Sequence, residues 1–200
     1  MTFSLDFTGK TGRKCAGCTL CCKLVPTAEL DKPSGVRCKH QRTGRGCAIY
    51  ATRPSSCRLW SCVWLTDPDA ADLRRPDRVH YVIDIMPDFV TMTFDDGREP
   101  QRVPVVQVWV DPAHRHAYRD PALWAYLAKR GENEGMAAII RFNNQEAVVL
   151  FPPALTPDGQ WHEQGSNLKG QQQHSAAEVV AALNEAGLAY GMVVGEDDAA

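Results

Sequence analysis

All eight cysteines of this chain fall between Cys15 and Cys62, and none follows up to Ala200. That crowding constrains folding more than any hydrophobic pattern, because thiolates sharing a cation must converge to about 2.3 Å from it, from geometrically matched positions. The segment reads Cys15-Ala16-Gly17-Cys18-Thr19-Leu20-Cys21-Cys22, followed by Cys38, Cys47, Cys57 and Cys62. Two Cys-x-x-Cys steps share Cys18, and the tight turn of each lets two sulfurs face one ion.

An even number of cysteines in a short region also suits a disulfide framework of the secreted kind. The N-terminus argues against that. Met1 to Lys14 lacks the apolar stretch of roughly 7–15 residues that a secretory signal needs, and no run approaches the roughly 18 apolar residues of a membrane span. The expectation is a soluble protein of the reducing cytoplasm, with no membrane association, in which clustered cysteines bind metal.

Overall composition is that of an ordinary globular chain, 44% hydrophobic and 23% charged. The net charge of −2 conceals a division. Residues 1–62 carry eleven Lys and Arg against three Asp and Glu, a surplus of eight positive charges; residues 63–200 carry eleven against twenty-one, a deficit of ten. A basic segment raises the question of nucleic acid, since Lys and Arg neutralise phosphates. Eight thiolates would cancel the same surplus, nearby cations favour the ligating thiolate, and the aromatic interleaving that stacks single-stranded bases is missing. Charge compensation is therefore preferred over nucleic-acid binding.

The chain divides into a cysteine-rich metal-binding domain over residues 1–66 and an α+β domain over 79–195, joined by a Pro-punctuated connector from Asp67 to Arg78. Residues 1–50 show neither helical nor strand periodicity, as expected of a small irregular unit that metal ligation stabilises. Pro54 opens a helix running from Cys57 to Trp64, which Asp67-Pro68 ends. Strands are predicted over Val79–Met86, Phe89–Phe94 and Val103–Val110, with a turn at Asp95-Asp96-Gly97. Pro121–Arg130 is a helix capped by Asp120 and closed by Gly131. Ala137–Phe142 and Ala147–Phe151 are strands flanking Asn143-Asn144, and Pro152–Gln173 is a polar loop. Ser175-Ala176-Ala177-Glu178 is a capping box opening a helix through Val179, Val180, Leu183 and Leu188, and Glu196–Ala200 is a frayed acidic tail. The order βββαββα implies an α+β fold, a mixed or antiparallel sheet with about two helices on one side.

Cys15, Cys18 and Cys21 follow the C-x2-C-x2-C spacing that supplies three thiolates to a [4Fe–4S] cluster, the fourth coming from a distant position. Cys22 follows immediately, where a ferredoxin run would continue differently. Adjacent cysteines point in different directions, so Cys21 and Cys22 serve different centres, or one of them is a supporting or redox thiol. Eight thiols also divide into two tetrads, which suits two tetrahedral zinc ions equally well.

The segment resembles the bacterial zinc- or iron-chelating cysteine-cluster domain family, whose members are described as Fe–S-cluster-containing proteins. The resemblance rests on Cys15-x-x-Cys18-x-x-Cys21-Cys22, Lys32-Pro33 with Cys38, Gly46-Cys47-Ala48-Ile49-Tyr50 with Arg53-Pro54, and Cys57-Arg58 with Cys62. It covers residues 13–65 and departs at Thr19, where many members carry glycine. It implies a metal-binding role for Cys15, Cys18, Cys21, Cys22, Cys38, Cys47, Cys57 and Cys62, with iron–sulfur or zinc as the cofactor.

Among the neighbours, Gly17 and Gly46 either let backbone approach the sulfurs or are turn glycines. Tyr50, Trp60 and Trp64 wall off the centre or form its apolar core, and Arg53 and Arg58 either offset thiolate charge or lie on the surface. His40 is not needed once eight cysteines fill two tetrads. His114 and His116 share one face after the Val103–Val110 strand, a pattern compatible with a metal but more often found on surfaces. No Ser/His/Asp, Walker or dinucleotide fingerprint is present, so no reaction is assigned. The leading expectation is an iron–sulfur protein with an electron-transfer or maturation role. The other readings are a zinc-stabilised, non-catalytic module whose acidic part binds a protein partner, and a protein of metal storage or delivery.

Overall fold

β-branched and small apolar residues dominate the stretches after Val79. In the computed structural model, which describes residues 11–84, 88–92 and 97–167, they pair as the centre of a mixed six-stranded sheet. In chain order, β1 (Gln41–Arg42) and β2 (Gly46–Cys47) form a hairpin of their own. The sheet proper contains β3 (Tyr81–Asp84), β4 (Phe89–Met92), β5 (Gln101–Val110), β6 (Ala137–Arg141), β7 (Glu146–Phe151) and β8 (His162–Asn167). Its order is β3-β5-β6-β7-β8, and β4 pairs with the start of β5. Every pairing is antiparallel except β5 with β6. A parallel pair needs a long crossover, which is supplied by a 3-10 stretch over Pro112–Arg119 and helix α5 (Pro121–Glu134) once four short helices are counted before it: α1 (Cys21–Leu24), α2 (Ser55–Leu59), α3 (Val63–Thr66) and α4 (Pro76–Val79). The fold is α+β. Among the described residues no helix is long and apolar enough to cross a membrane.

Period-2 alternation sends neighbouring residues of each strand to opposite faces, and both faces are used. On one, Tyr81, Ile83, Val108 and Ile140 pack with Leu123 and Leu127 of α5. On the other, Val82 and Trp109, direct partners across β3 and β5, pack with Cys18, Leu20, Leu24 and Cys62. Part of the sheet's second face is thus the floor of the cysteine segment. Next to it, Val105, Ala137, Ile139 and Val149 form a third cluster with Val90 and Met92 of β4 against it.

Several expected boundaries move, each for a local reason. The helix predicted from Cys57 to Trp64 is broken: Trp60 and Cys62 are extended between α2 and α3, because Cys62 makes a β-bridge to Asp84 and the Trp60 indole reaches the same residue. The connector is no free linker. Ala70 and Leu73 are buried in the core, Arg13 donates to the carbonyls of Trp64, Ala70 and Ala71, and Asp67 accepts from Tyr126 and Arg130 of α5. Val79 ends α4 rather than starting a strand, and His80 adopts a left-handed conformation before β3 begins.

Helix α5 runs past Gly131 and stops at Gly135, whose φ of +63° makes it the true cap. The predicted loop after Pro152 contains β8, an edge strand whose residues have too little apolar alternation to signal a strand. The expected helix after Ser175, the acidic tail, and the positions Ile85–Pro87 and Thr93–Asp96 lie outside the described residues.

Gly131 sits inside α5 because Pro152 lies against it: a Cβ there would be 2.2 Å from Pro152 Cγ. In a free helix Gly131→Ala would gain up to about 1 kcal/mol. Overpacking outweighs this, so urea unfolding should report a net loss of about 1–2 kcal/mol; unchanged or increased stability would show that the Pro152 loop yields at no cost.

Candidate metal centre

Three local features bring the cysteines together. Cys15 to Cys18 is a turn closed by Cys18 N–H donating to Cys15 C=O at 2.9 Å, with Ala16 held at φ +43°. Cys21 and Cys22 then open α1, and Cys22 C=O accepts from Cys38 N–H at 2.9 Å, drawing a distant cysteine beside the pair. The β1–β2 hairpin carries Cys47 back opposite Gln41, whose own N–H bonds Cys38 C=O. Gly17 is required by this arrangement, since a Cβ there would stand 2.4 Å from the Gly44 carbonyl oxygen at the hairpin tip. Gly46 has φ +87° and faces the Ala16 carbonyl, so both glycines serve close backbone approach.

Cys57 sits in α2, and Cys62 is placed by Asp84. This buried carboxylate accepts from Trp60 Nε1 at 2.7 Å and from Trp109 Nε1 at 3.1 Å, and its backbone bridges to Cys62. A carboxylate out of water needs such donors to remain charged. Trp60 and Trp64 therefore line the cysteine cluster, partly buried, whereas Tyr50 is 61% exposed under the Arg53 guanidinium and forms no wall.

All eight cysteines are free thiols. Their mutual electrostatics fall into two overlapping neighbourhoods, with Cys22 felt in both. Burial and then the thiolates of Cys18 and Cys22 push Cys15 up to about 11. Burial pushes Cys62 up to about 12, with Cys15 and Cys18 adding to it. Burial raises Cys18, although backbone N–H groups of Leu20 and Asp77 aimed at its sulfur act the other way. Cys21 stands well above the usual value because it shares a hydrogen bond with Cys22 and is buried, with Cys15 and Cys62 near it. Cys62 feels Cys15 and Cys18, and Cys21 feels Cys15 and Cys62, so these four thiols lie near one another with Cys22 beside them.

The second neighbourhood surrounds Lys32. Cys22 is lowered to about 7, first by the hydrogen bond from Cys21 and also by the Lys32 ammonium. Burial raises Cys57, which feels Cys22 and Cys38, and Cys38 Sγ accepts from His40 N–H at 3.4 Å. Lys32 is 7% exposed, and its ammonium donates to the carbonyls of Val25, Lys23 and Pro33 at 2.5, 3.2 and 3.2 Å. Desolvation lowers its pKa, while the charges of Cys38, Cys22, Cys21 and Cys57 hold it up. Cys47 lies in the hairpin opposite Gln41.

The cations nearest the first neighbourhood are Arg75 and Arg53. Arg58 is exposed and bonds Ser55. Nothing in the sequence singles out Arg75, which precedes α4 inside the connector and is held by Asp77 at 2.6 and 2.7 Å. Asp84 was equally hidden, because a carboxylate ending a strand signals nothing until the two indoles meet it.

Among the described residues, three potential ligand atoms within 4.8 Å of one another belong to His80, Asp111 and His114; no cysteine is part of such a trio. His116 is exposed and not in that group.

Two measurements follow. Folding raises Cys15 and Cys62 above the ordinary 9.0, so the metal-free fold gains from their protonation below pH 9 and loses that gain as pH rises through about 11 and 12. In chelator-treated protein at pH 8, alkylation followed by mass spectrometry should therefore mark Cys22 first and Cys15, Cys21 and Cys62 last; uniform labelling would contradict this. Separately, Trp60→Phe deletes one donor to Asp84 and should cost about 1.5–3 kcal/mol in urea unfolding, with Cys62 becoming faster to label.

Compared with protein-family models, curated proteins and solved structures, the chain matches none.

Proposed function

We propose that this chain is a metal–thiolate protein of the reducing cytoplasm. In this reading Cys15, Cys18, Cys21 and Cys62 hold an iron–sulfur cluster of the [4Fe–4S] type, and Cys22, Cys38, Cys47 and Cys57 serve a second four-thiol centre. The observation that carries it is Lys32. An ammonium that is 7% exposed, bonded only to neutral carbonyls and surrounded by four thiols, needs negative charge close by. A metal bound by four thiolates retains net negative charge and meets that need.

The donor set fits such centres. Thiols that burial keeps protonated are deprotonated by a bound cation, and the N–H groups of Leu20, Leu65 and His40 directed at Cys18, Cys62 and Cys38 support thiolates by hydrogen bonding. The C-x2-C-x2-C spacing of Cys15, Cys18 and Cys21 is the feature that favours a [4Fe–4S] cluster over zinc. When bound, such a cluster supplies one-electron transfer. The chain's own part is to limit water with Trp60, Trp64 and Leu65, and to balance charge with Arg75, Arg53 and Lys32.

A zinc-stabilised module that binds a protein partner has one observation in its favour. Among the described residues, Val36 and Tyr50 are the exposed large apolar side chains, 50% and 61% exposed, on a cysteine unit that also exposes Arg37, Lys39, Arg42 and Arg45.

Anaerobic purification followed by metal analysis and absorption spectroscopy separates the two. Brown protein with iron and sulfide in stoichiometric amount is the expected result, and colourless protein with stoichiometric zinc would overturn the iron–sulfur assignment. Cys62→Ser should abolish the visible chromophore, whereas Cys38→Ser should remove only the metal of the second centre; loss of all metal in both variants would dissolve the partition.

A further inference from the structure

The antiparallel register that pairs Tyr81 with Val110 makes His80 and Asp111 the next pair, and Asp111 N–H donates to His80 C=O at 2.9 Å. Both lie where the strands end. His80 is in the left-handed region at φ +63°. Three residues past Asp111, His114 interrupts its 3-10 stretch with φ −132° and ψ 50°, its N–H bonded to Asp111 C=O at 2.7 Å. These two departures from regular backbone stack the imidazoles, with ring centroids 3.6 Å apart and planes 9° from parallel. Asp111 is 5% exposed, His80 is half-buried and His114 is exposed.

Cofacial imidazoles this close cannot both carry a proton without strong repulsion. His80 is lowered by burial and by His114, which leaves lone pairs beside a carboxylate. Burial pushes Asp111 up, but the Lys23 ammonium and the Ala113 N–H more than offset that and keep it ionised. Lys23 Nζ stands 2.7 Å from both carboxylate oxygens, so the position already attracts a cation. Ala113 N–H bonds Oδ1 at 3.0 Å, which leaves Oδ2 with Lys23 as its competitor.

We propose that His80, His114 and Asp111 form a divalent transition-metal site separate from the cysteines, with Lys23 as the internal cation that the metal partly displaces. Two imidazoles and one carboxylate are a ligand set for zinc, cobalt or iron(II) with positions left open to water. Ligand atoms around a tetrahedral ion with bonds of about 2.0–2.1 Å stand roughly 3.3–3.4 Å apart. The present spacing of up to 4.8 Å closes if the rings unstack, which the exposed His114 is free to do. The metal alone is the ligand, and its open face points to solvent on the His114 side. The site does not depend on whether the cysteines hold iron or zinc.

Cobalt(II) titration of the full chain, with its cysteine-bound metal in place, tests this. The expected result is one additional equivalent with weak ligand-field absorption and no sulfur-to-cobalt charge-transfer band. His114→Ala, at an exposed position, and His80→Asn, which keeps a residue tolerant of the left-handed region, should each weaken that equivalent more than about tenfold. Lys23→Gln should tighten it, and His116→Ala should leave it unchanged, with cysteine-bound metal content equal in all four. Absence of the extra equivalent at millimolar cobalt, or its persistence in both histidine variants, would overturn the site; unchanged or weaker affinity in Lys23→Gln would overturn the displacement.

Discussion

Two indole N–H groups converging on the buried Asp84 carboxylate hold the cysteine unit to the sheet. Trp60 comes from the cysteine segment and Trp109 from β5, so one side chain joins elements forty-nine positions apart in the chain. Hydrogen bonds to a charged acceptor contribute about 1.5–3 kcal/mol each, and loss of either donor would leave charge buried with less compensation. Because the Cys62 backbone bridges to the same residue, the position of the last cysteine follows from this contact. Cys62 then sits on the floor of Val82 and Trp109, and the first thiol neighbourhood acquires its fourth member.

The electrostatic division of the chain takes on a different meaning in three dimensions. Part of the positive surplus in residues 1–62 is internal. Lys32 is enclosed by carbonyls, Lys23 is bound to Asp111, and Arg13 is spent on backbone carbonyls of the segment after Cys62. Compensation of thiol charge also draws on Arg75, which lies in the acidic part of the sequence. Counting charges by segment identifies an imbalance but not which cations face the sulfurs.

Much of the sheet was legible because Val103–Val110, Ala137–Phe142 and Ala147–Phe151 are short, nearly continuous apolar, β-rich runs with punctuated turns. The α5 helix was legible from Asp120 and Leu123, Trp124 and Leu127. Its end was not, because Gly131 carries the chemistry of a cap yet is small for the sake of Pro152, a tertiary reason. The break between α2 and α3 was hidden for the same kind of reason: the local pattern favours a helix, and the Asp84 contacts override it. For the candidate site, spacing alone gave Cys15, Cys18 and Cys21 as a set. It gave neither Cys62 as their neighbour nor the pairing of His114 with His80, since both depend on strand register. His116, the partner that alternation suggested for His114, is exposed and lies outside the group of His80, Asp111 and His114.

The floor under the cysteines is also made of later sequence. Val82 and Trp109 lie 20 and 47 residues beyond Cys62, so at a synthesis rate of about 5–20 residues per second the completed thiol segment leaves the ribosome several seconds ahead of the strands that bury Cys18 and Cys62. During that interval the sulfurs have no apolar cover and no Asp84 to fix Trp60. For that interval the thiols are open to whatever cations or oxidants surround the chain. Full enclosure of the first neighbourhood, and with it any selectivity that burial confers, waits until β5 has been made.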